Sequence, residues 1–181
     1  MLSKLTCAAL SAWLLAGTLG HAQTSQKLNN LIVYGDGFAF AVKEPEGWHG
    51  DTDKIAAKYQ VNVVFQSPME PAAGDVTIRV RVNSKVDENT IEDLNYDMDG
   101  YKKQFSNVQF SNLSVVHPQY ETFARTVFIP KKFYEYVAYL NPGPGKRVVL
   151  SVAMSKKGDP ANDGEMKAFE TVLKSVAWLS R

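Results

Sequence analysis

Hydrophobic and polar positions alternate most regularly over residues 75–83. Val76, Ile78, Val80 and Val82 fall on one face there, and Thr77, Arg79, Arg81 and Asn83 on the other. A period of two is that of a half-buried strand. The same period returns in KRVVLSVAMS (residues 146–155), where Val148, Leu150, Val152 and Met154 oppose Arg147, Ser151 and Ser155. A Tyr-rich strand, KFYEYVAYL (132–140), precedes it. The two are joined by NPGPG, whose prolines and glycines can continue neither strand. The period then changes. Met166, Phe169, Val172, Leu173 and Val176 recur at helical spacing within GEMKAFETVLKSVAWL (164–179), which predicts an amphipathic helix able to lie against a sheet. Ile91, Leu94, Met98, Tyr101 and Phe105 predict a second helix from about Thr90 to Phe105. Asn89 and Glu92 are spaced as a capping pair for it. Its acids lie early (Glu92, Asp93, Asp97, Asp99) and Lys102 and Lys103 lie late, as the helix dipole prefers.

Shorter apolar runs fill in the rest. LIVY (31–34) and FAFAV (38–42), separated by Gly35-Asp36-Gly37, predict a hairpin in which Phe38, Phe40 and Val42 share a face. GWHGDTD reads as a turn, and DKIAAKY (53–59) as a short helix with Asp53 as its cap. VNVVFQ (61–66) reads as a strand with Val61, Val63 and Phe65 inward, and SPMEPAAGD as a loop. VQFSNLSVV (108–116) and YETFARTVFI (120–129) are two further strands. Short connections favour antiparallel pairing. The predicted class is α+β: a mainly antiparallel sheet of about six strands plus an N-terminal hairpin, with helices on both faces.

The N-terminus changes the expected length and charge. Lys4 is followed by an apolar run from Leu5 to about Leu19, and Gly20-His21-Ala22 offers small residues at the positions a signal peptidase reads. This is the pattern of a secretory signal peptide cleaved after Ala22, with a run too short for a membrane span. Its removal leaves 159 of the 181 residues as a single domain (23–181), with 19 basic against 19 acidic side chains. A near-neutral chain is not built to hold nucleic acid by bulk charge. Cys7, the one cysteine, lies inside the leader, so the mature domain has neither a disulfide nor a thiol and rests on its core. The expected location is periplasmic or extracellular.

The opening YGDGFAFAVKEPEGW, with Asp36-Gly37-Phe38 followed by Pro45 and Trp48, resembles the start of PsbP-like proteins. The order of elements is similar to theirs across the mature chain. The resemblance implies a central antiparallel sheet with helices on both faces. Members include an extrinsic photosystem II subunit, a nuclear-transport factor that binds the GTPase Ran, and bacterial envelope proteins. They act mostly as accessory or binding proteins, and the family supplies no shared catalytic motif to carry over. The leader is secretory in pattern, unlike an Arg- and Ser-rich transit peptide, which argues against a photosynthetic role.

The candidate chemistry is sparse. Glu44, Glu46, His49, Asp51 and Asp53 lie close together in one loop and offer oxygen and imidazole ligands for a divalent cation. Their spacing matches no EF-hand or zinc pattern, and a solvated turn is the preferred reading, with no metal assigned. His117 precedes a proline in a turn, which needs no functional reason. There is no G-x-S-x-G elbow, and the prolines of NPGPG lack the N–H groups a phosphate loop needs. Asp97 and Asp99 read as a solvated helix face. Arg79 and Arg81 stand roughly 7 Å apart on one strand face. They could grip an anion, or cover the sheet and meet acids. Tyr134, Tyr136 and Tyr139 read as sheet packing. Pairing the 132–140 and 146–155 strands brings Lys131 and Lys132 beside Lys156 and Lys157, four cations at one end of the sheet.

No catalytic residue and no cofactor are assigned. The expected function is an exported accessory protein that binds a protein or envelope component. Two other classes remain open: a metal-assisted hydrolase using the Glu44–Asp53 loop, and a small-ligand carrier with a pocket between sheet and helix. Polar side chains converging in a cleft would favour the enzyme, and a large apolar cavity the carrier.

Overall fold

The structure, a computed structural model, describes residues 30–67 and 76–179. The predicted leader and most of the 67–75 loop lie outside the described residues. Two antiparallel sheets and three helices make an α+β sandwich. The chain opens with β1 (Asn30–Gly35) and β2 (Phe38–Lys43), the expected hairpin, paired from Gly35↔Phe38 to Asn30↔Lys43. Gly37 supplies the positive φ of 73° at its turn. The segment expected to be only a turn contains β3 (His49–Asp51), which pairs with β4 (Val63–Gln66). Gly50 permits this, because a Cβ there would come within 2.6 Å of Leu31 Cδ1 and 2.9 Å of Phe65 Cε1.

Between β3 and β4 lies α1 (Lys54–Tyr59). Asp53 occupies its N-cap position without a side-chain bond. The capping carboxylate is instead that of Asp51, whose Oδ1 accepts from the N–H groups of Asp53 (3.0 Å), Ile55 (2.9 Å) and Ala56 (3.0 Å). β5 (Val76–Ser84) leads into α2 (Thr90–Gln104). Asn89 Oδ1 accepts from Ile91 N at 3.2 Å, but Glu92 turns to Asn95 and no capping box forms. β6 (Gln109–Asn112) is shorter than the run 108–116, and β7 (Glu121–Ile129), β8 (Phe133–Asn141) and β9 (Val148–Lys157) complete a meander. α3 (Asp163–Ser175) carries the capping box, Asn162 with Glu165. It stops at Ser175, short of the predicted Leu179, because Ala177–Trp178 forms β10 against Ala41 and Phe40 of β2.

The large sheet runs β3-β4-β5-β9-β8-β7-β6 and the small one β1-β2-β10. One face of the large sheet meets the small sheet and α3. Phe40, Val42, Phe65, Ile78, Val80, Leu150, Val152, Met154, Phe169 and Leu173 are wholly buried in that layer. On the opposite face Leu94 and Met98 of α2 pack on Val127, Ile129, Val137 and Val149. The side of β5 expected to face outward, carrying Arg79 and Arg81, lies on this second face. No helix among the described residues is long and apolar enough to cross a membrane.

Candidate functional site

The position of α2 creates the site. Its apolar stripe seats on β7 and β8, so among the described residues no helix covers the β5 side of the same sheet face. Asp93 and Asp97 each precede a stripe residue by one position. That 100° step turns them from the packed stripe toward β5. The result is a polar cleft of about 460 Å³, floored by β5, β9 and β8 and walled by α2. Arg79, Arg81 and Asn83 reach it from the floor, Asp93 and Asp97 from the wall, and Tyr59 of α1 stands at a rim.

Glu135 organises the floor. It is an acid on the otherwise apolar α2 side of β8, and its side chain is 6% exposed. Its carboxylate receives hydrogen bonds from Arg79 Nη2 and Tyr101 Oη, and from Ser155 Oγ at 3.1 Å. Tyr59, Arg79, Tyr101 and Glu135 line both this cleft and a second one, of about 510 Å³, that runs on toward Lys156 and Lys157. Burial, the charge of Glu135 and its hydrogen bond push the Tyr101 phenol well above its usual range. Burial, reinforced by the charge and hydrogen bond of Asp97, does the same to Tyr139.

The two helix acids are held uncomfortably. Asp93 is 4% exposed. Its Oδ1 accepts from Val86 N at 2.7 Å, but its Oδ2 is buried with no hydrogen-bond partner. Burial raises its pKa against that backbone bond. Asp97 is raised by burial first and by the charge of Glu135 second, with the Tyr139 bond and the two arginines opposing. Arg79 Nε is likewise buried without a partner. Unpaired polar atoms of this kind are rare in folded interiors and usually have a reason.

The sequence-derived candidates separate in space. Arg79 and Arg81 both enter the cleft, but Arg79 is engaged by a strand acid, Glu135, while Arg81 has no ion pair or side-chain hydrogen bond among the described residues. Asp99 is exposed as expected, whereas Asp97, read with it as solvated, faces the cleft. The predicted hairpin register holds, with Phe133 opposite Lys157 and Tyr134 opposite Lys156. The four lysines nevertheless diverge. Lys156 Nζ pairs with Glu165 at 2.7 Å, Lys132 Nζ sits 4.5 Å from the Phe105 ring centre, and Lys131 and Lys157 are exposed.

In the 44–53 loop, Glu44 Oε2 accepts from Gly50 N at 2.8 Å and Asp51 is committed to α1. Its backbone bonds, led by that of Ala56, hold the Asp51 carboxyl below its ordinary value. His49, Glu46 and Asp53 are exposed. Among the described residues no three His, Cys, Asp or Glu side chains are grouped to hold a metal ion. His117 is buried. Its Nδ1 accepts from Gln119 N (3.0 Å) and Tyr120 N (3.1 Å), so the proton lies on Nε2, which donates to Val176 O at 2.9 Å. Tyr134 stacks on Phe128, and Tyr136 Oη accepts from Ala161 N. Tyr139 packs in the buried cluster beneath α2, as expected, and also lines the cleft.

Sequence reasoning missed Asp93, Asp97, Tyr101 and Glu135 as site residues. Glu135 carried a usable signal, since an acid between Phe133 and Val137 on one strand face must find a partner. No protein-family model matches the chain, and no curated protein does. The solved structure of LpqN, a protein involved in cell envelope biogenesis of Mycobacterium tuberculosis, is similar at 14% identity and a TM-score of 0.55, over 83% of this chain and 91% of that one. The likeness concerns the fold alone.

Proposed function

We propose that the chain is an exported, non-enzymatic accessory protein of the cell envelope, built on a PsbP-like domain, and that it acts by binding a small polar ligand in the α2 cleft. The observation that carries the reading is the convergence of Arg79, Arg81, Asn83, Asp93 and Asp97 on one cleft wide enough for a ligand. The leader sequence supports export. The likeness to an envelope biogenesis protein supports the setting.

Polar convergence is also what a hydrolase displays, but the lining here does not supply its parts. Among the described residues no histidine or cysteine lines the cleft. Ser151 Oγ accepts from Asn83 and lies 3.5 Å from Arg81 O, and Ser155 Oγ donates to Glu135, a carboxylate already engaged by Arg79 and Tyr101. Glu135 is tied by three donors. The four-lysine end of the sheet stays a second contact surface for an anionic envelope component, reduced to Lys131 and Lys157 by the engagement of the other two.

The test uses the mature protein, with intact mass showing loss of residues 1–22. The low-molecular-weight fraction of an envelope extract is titrated into labelled protein and followed by NMR. Shifts concentrated on β5 and α2, and lost in Asp97→Ala, are the expected result. Shifts confined to other surfaces, or the same shifts in the variant, would overturn the assignment of the cleft.

A further inference from the structure

Building on the cleft assignment, we infer that its ligand is a small zwitterion of the amino-acid class, its ammonium held by Asp93 and Asp97 and its carboxylate by Arg81. The inference starts from which charges in the cleft are already satisfied. Arg79 and Glu135 neutralise each other, with Tyr101 and Ser155 completing the carboxylate. They form a fixed floor with nothing left to offer a ligand except the buried Arg79 Nε. Three charged groups remain. Arg81, on β5, is exposed and has no ion pair among the described residues. Asp93 and Asp97, one turn apart on α2, face the cleft from its wall.

Among the described residues neither acid forms an ion pair, although Arg79 and Arg81 act on Asp97, and Lys85 on Asp93, at longer range. Asp93 Oδ2 is buried with no donor at all, and like charges one helical turn apart repel. A ligand ammonium carries three N–H donors on one charge and can serve both carboxylates. Asp97 is less willing to ionise than an ordinary carboxyl, first because of burial and second because of Glu135. A bound cation would reverse that tendency.

A purely cationic ligand would have to sit in the same cleft as unpaired Arg81. A purely anionic ligand would face Asp93 and Asp97. A metal ion would need ligands grouped as no described residues are. A zwitterion meets each pole with its opposite, and the guanidinium of Arg81 can take a carboxylate through two parallel hydrogen bonds. The volume of about 460 Å³ admits a ligand of single-amino-acid size. Tyr59 and Tyr96 also line the cleft.

The test separates the poles. L-Alanine and L-phenylalanine, ethylamine and propionate are titrated at neutral pH and low salt into labelled mature protein, followed by NMR at β5 and α2. The amino acids are expected to bind at least ten times tighter than either single-charge probe. Arg81→Gln should bring alanine down to the level of ethylamine, and Asp97→Asn should bring it down to the level of propionate. Arg81 is exposed, so its variant leaves the fold intact and keeps the test decisive. Ethylamine binding as tightly as alanine would replace the zwitterion with a simple cation, and propionate doing so would replace it with an anion. No binding by any probe, while the envelope extract still shifts the cleft resonances, would sink the zwitterion and leave the cleft assignment standing. Failure of both would sink both.

Discussion

Glu135→Ala is the most informative single change in this fold. The carboxylate is almost fully buried and serves three donors, Arg79, Tyr101 and Ser155. Removing it strands a guanidinium in the sheet face and leaves two hydroxyls without their acceptor. Breaking a buried ion pair by deleting one partner costs about 3–5 kcal/mol. A buried hydroxyl left unsatisfied costs about 1–3 kcal/mol. The Arg79 side chain is 25% exposed, so water can reach part of it and the lower end of the ion-pair range applies. Tyr101 and Ser155 can also find water in the adjoining cleft. The expected net loss is about 3–4 kcal/mol. With a urea dependence of about 2 kcal/mol per molar for a domain of this size, the unfolding midpoint should fall by about 1.5–2 M. A triple variant, Arg79→Met, Tyr101→Phe and Glu135→Leu, removes every charge and donor of the cluster except the Ser155 hydroxyl. It should recover to within about 1 kcal/mol of the parent, because apolar replacement of a whole buried polar cluster is often neutral. A single variant within about 1 kcal/mol of the parent, or a triple variant as unstable as the single one, would refute the account of the floor.

Asp97→Asn should raise the neutral-pH unfolding midpoint. Burial raises the Asp97 pKa in the native state, so its charged form opposes folding above that value, and the gain should vanish as pH falls below the ordinary 3.8. His117, buried and neutral, has a lowered pKa. Its contribution is complete above 6.5, the value it regains on unfolding, and is lost as pH falls through the lower native value. A His117→Gln variant should therefore show a flatter stability profile than the parent on acidification from pH 7, measured by urea titration at each pH. Asp51→Ala should cost about 1 kcal/mol through the lost α1 cap; because its native pKa is lowered, the cost should be complete above pH 3.8 and shrink at more acidic pH. Leu150→Ala, at a wholly buried strand position, should cost about 2–5 kcal/mol in a thermal or urea melt.

The large sheet was legible in the sequence because its faces are written in a period of two. Ile78 and Val80, and Leu150, Val152 and Met154, are all wholly buried on one face. The pairing of β8 with β9 followed from one short connection. The pairing of β5 with β9, in contrast, joins Val76 to Lys156 and Ser84 to Val148 across more than sixty positions, and local patterning carries no trace of it. Strand β3 was hidden because Gly50 and His49 have no strand propensity of their own. It exists because Gly50 lets Leu31 and Phe65 close over it. The end of α3 was misplaced for a similar reason. Val176, Ala177 and Trp178 continue a helical pattern, but pairing with β2 wins. The site was the least legible part. The outward residues of β5 were visible, yet only the lateral placement of α2 turns Asp93 and Asp97 toward them, and a helical wheel assigns those acids to solvent by default.

The two faces of the large sheet also divide the demands on this chain. Toward α3 and the small sheet, packing is apolar and dense, from Phe40 through Phe65 and Leu150 to Phe169. Toward α2, apolar packing stops at the line of Val137, Tyr139 and Val149, and beyond it Asp93, Asp97, Arg79 and Arg81 share a cleft. An arrangement selected for stability alone would have filled that half with valine or leucine, since buried polar groups without partners oppose folding. The first face carries the larger of the two buried clusters. That leaves α2 free to be positioned by one half of its surface and to present acids with the other. A cleft with a buried acceptor that lacks a partner among the described residues gains on ligand binding what it lacks on folding. On this reasoning, ligand binding and the stability of α2 are coupled, and the ligand that fits should raise the unfolding midpoint as it binds.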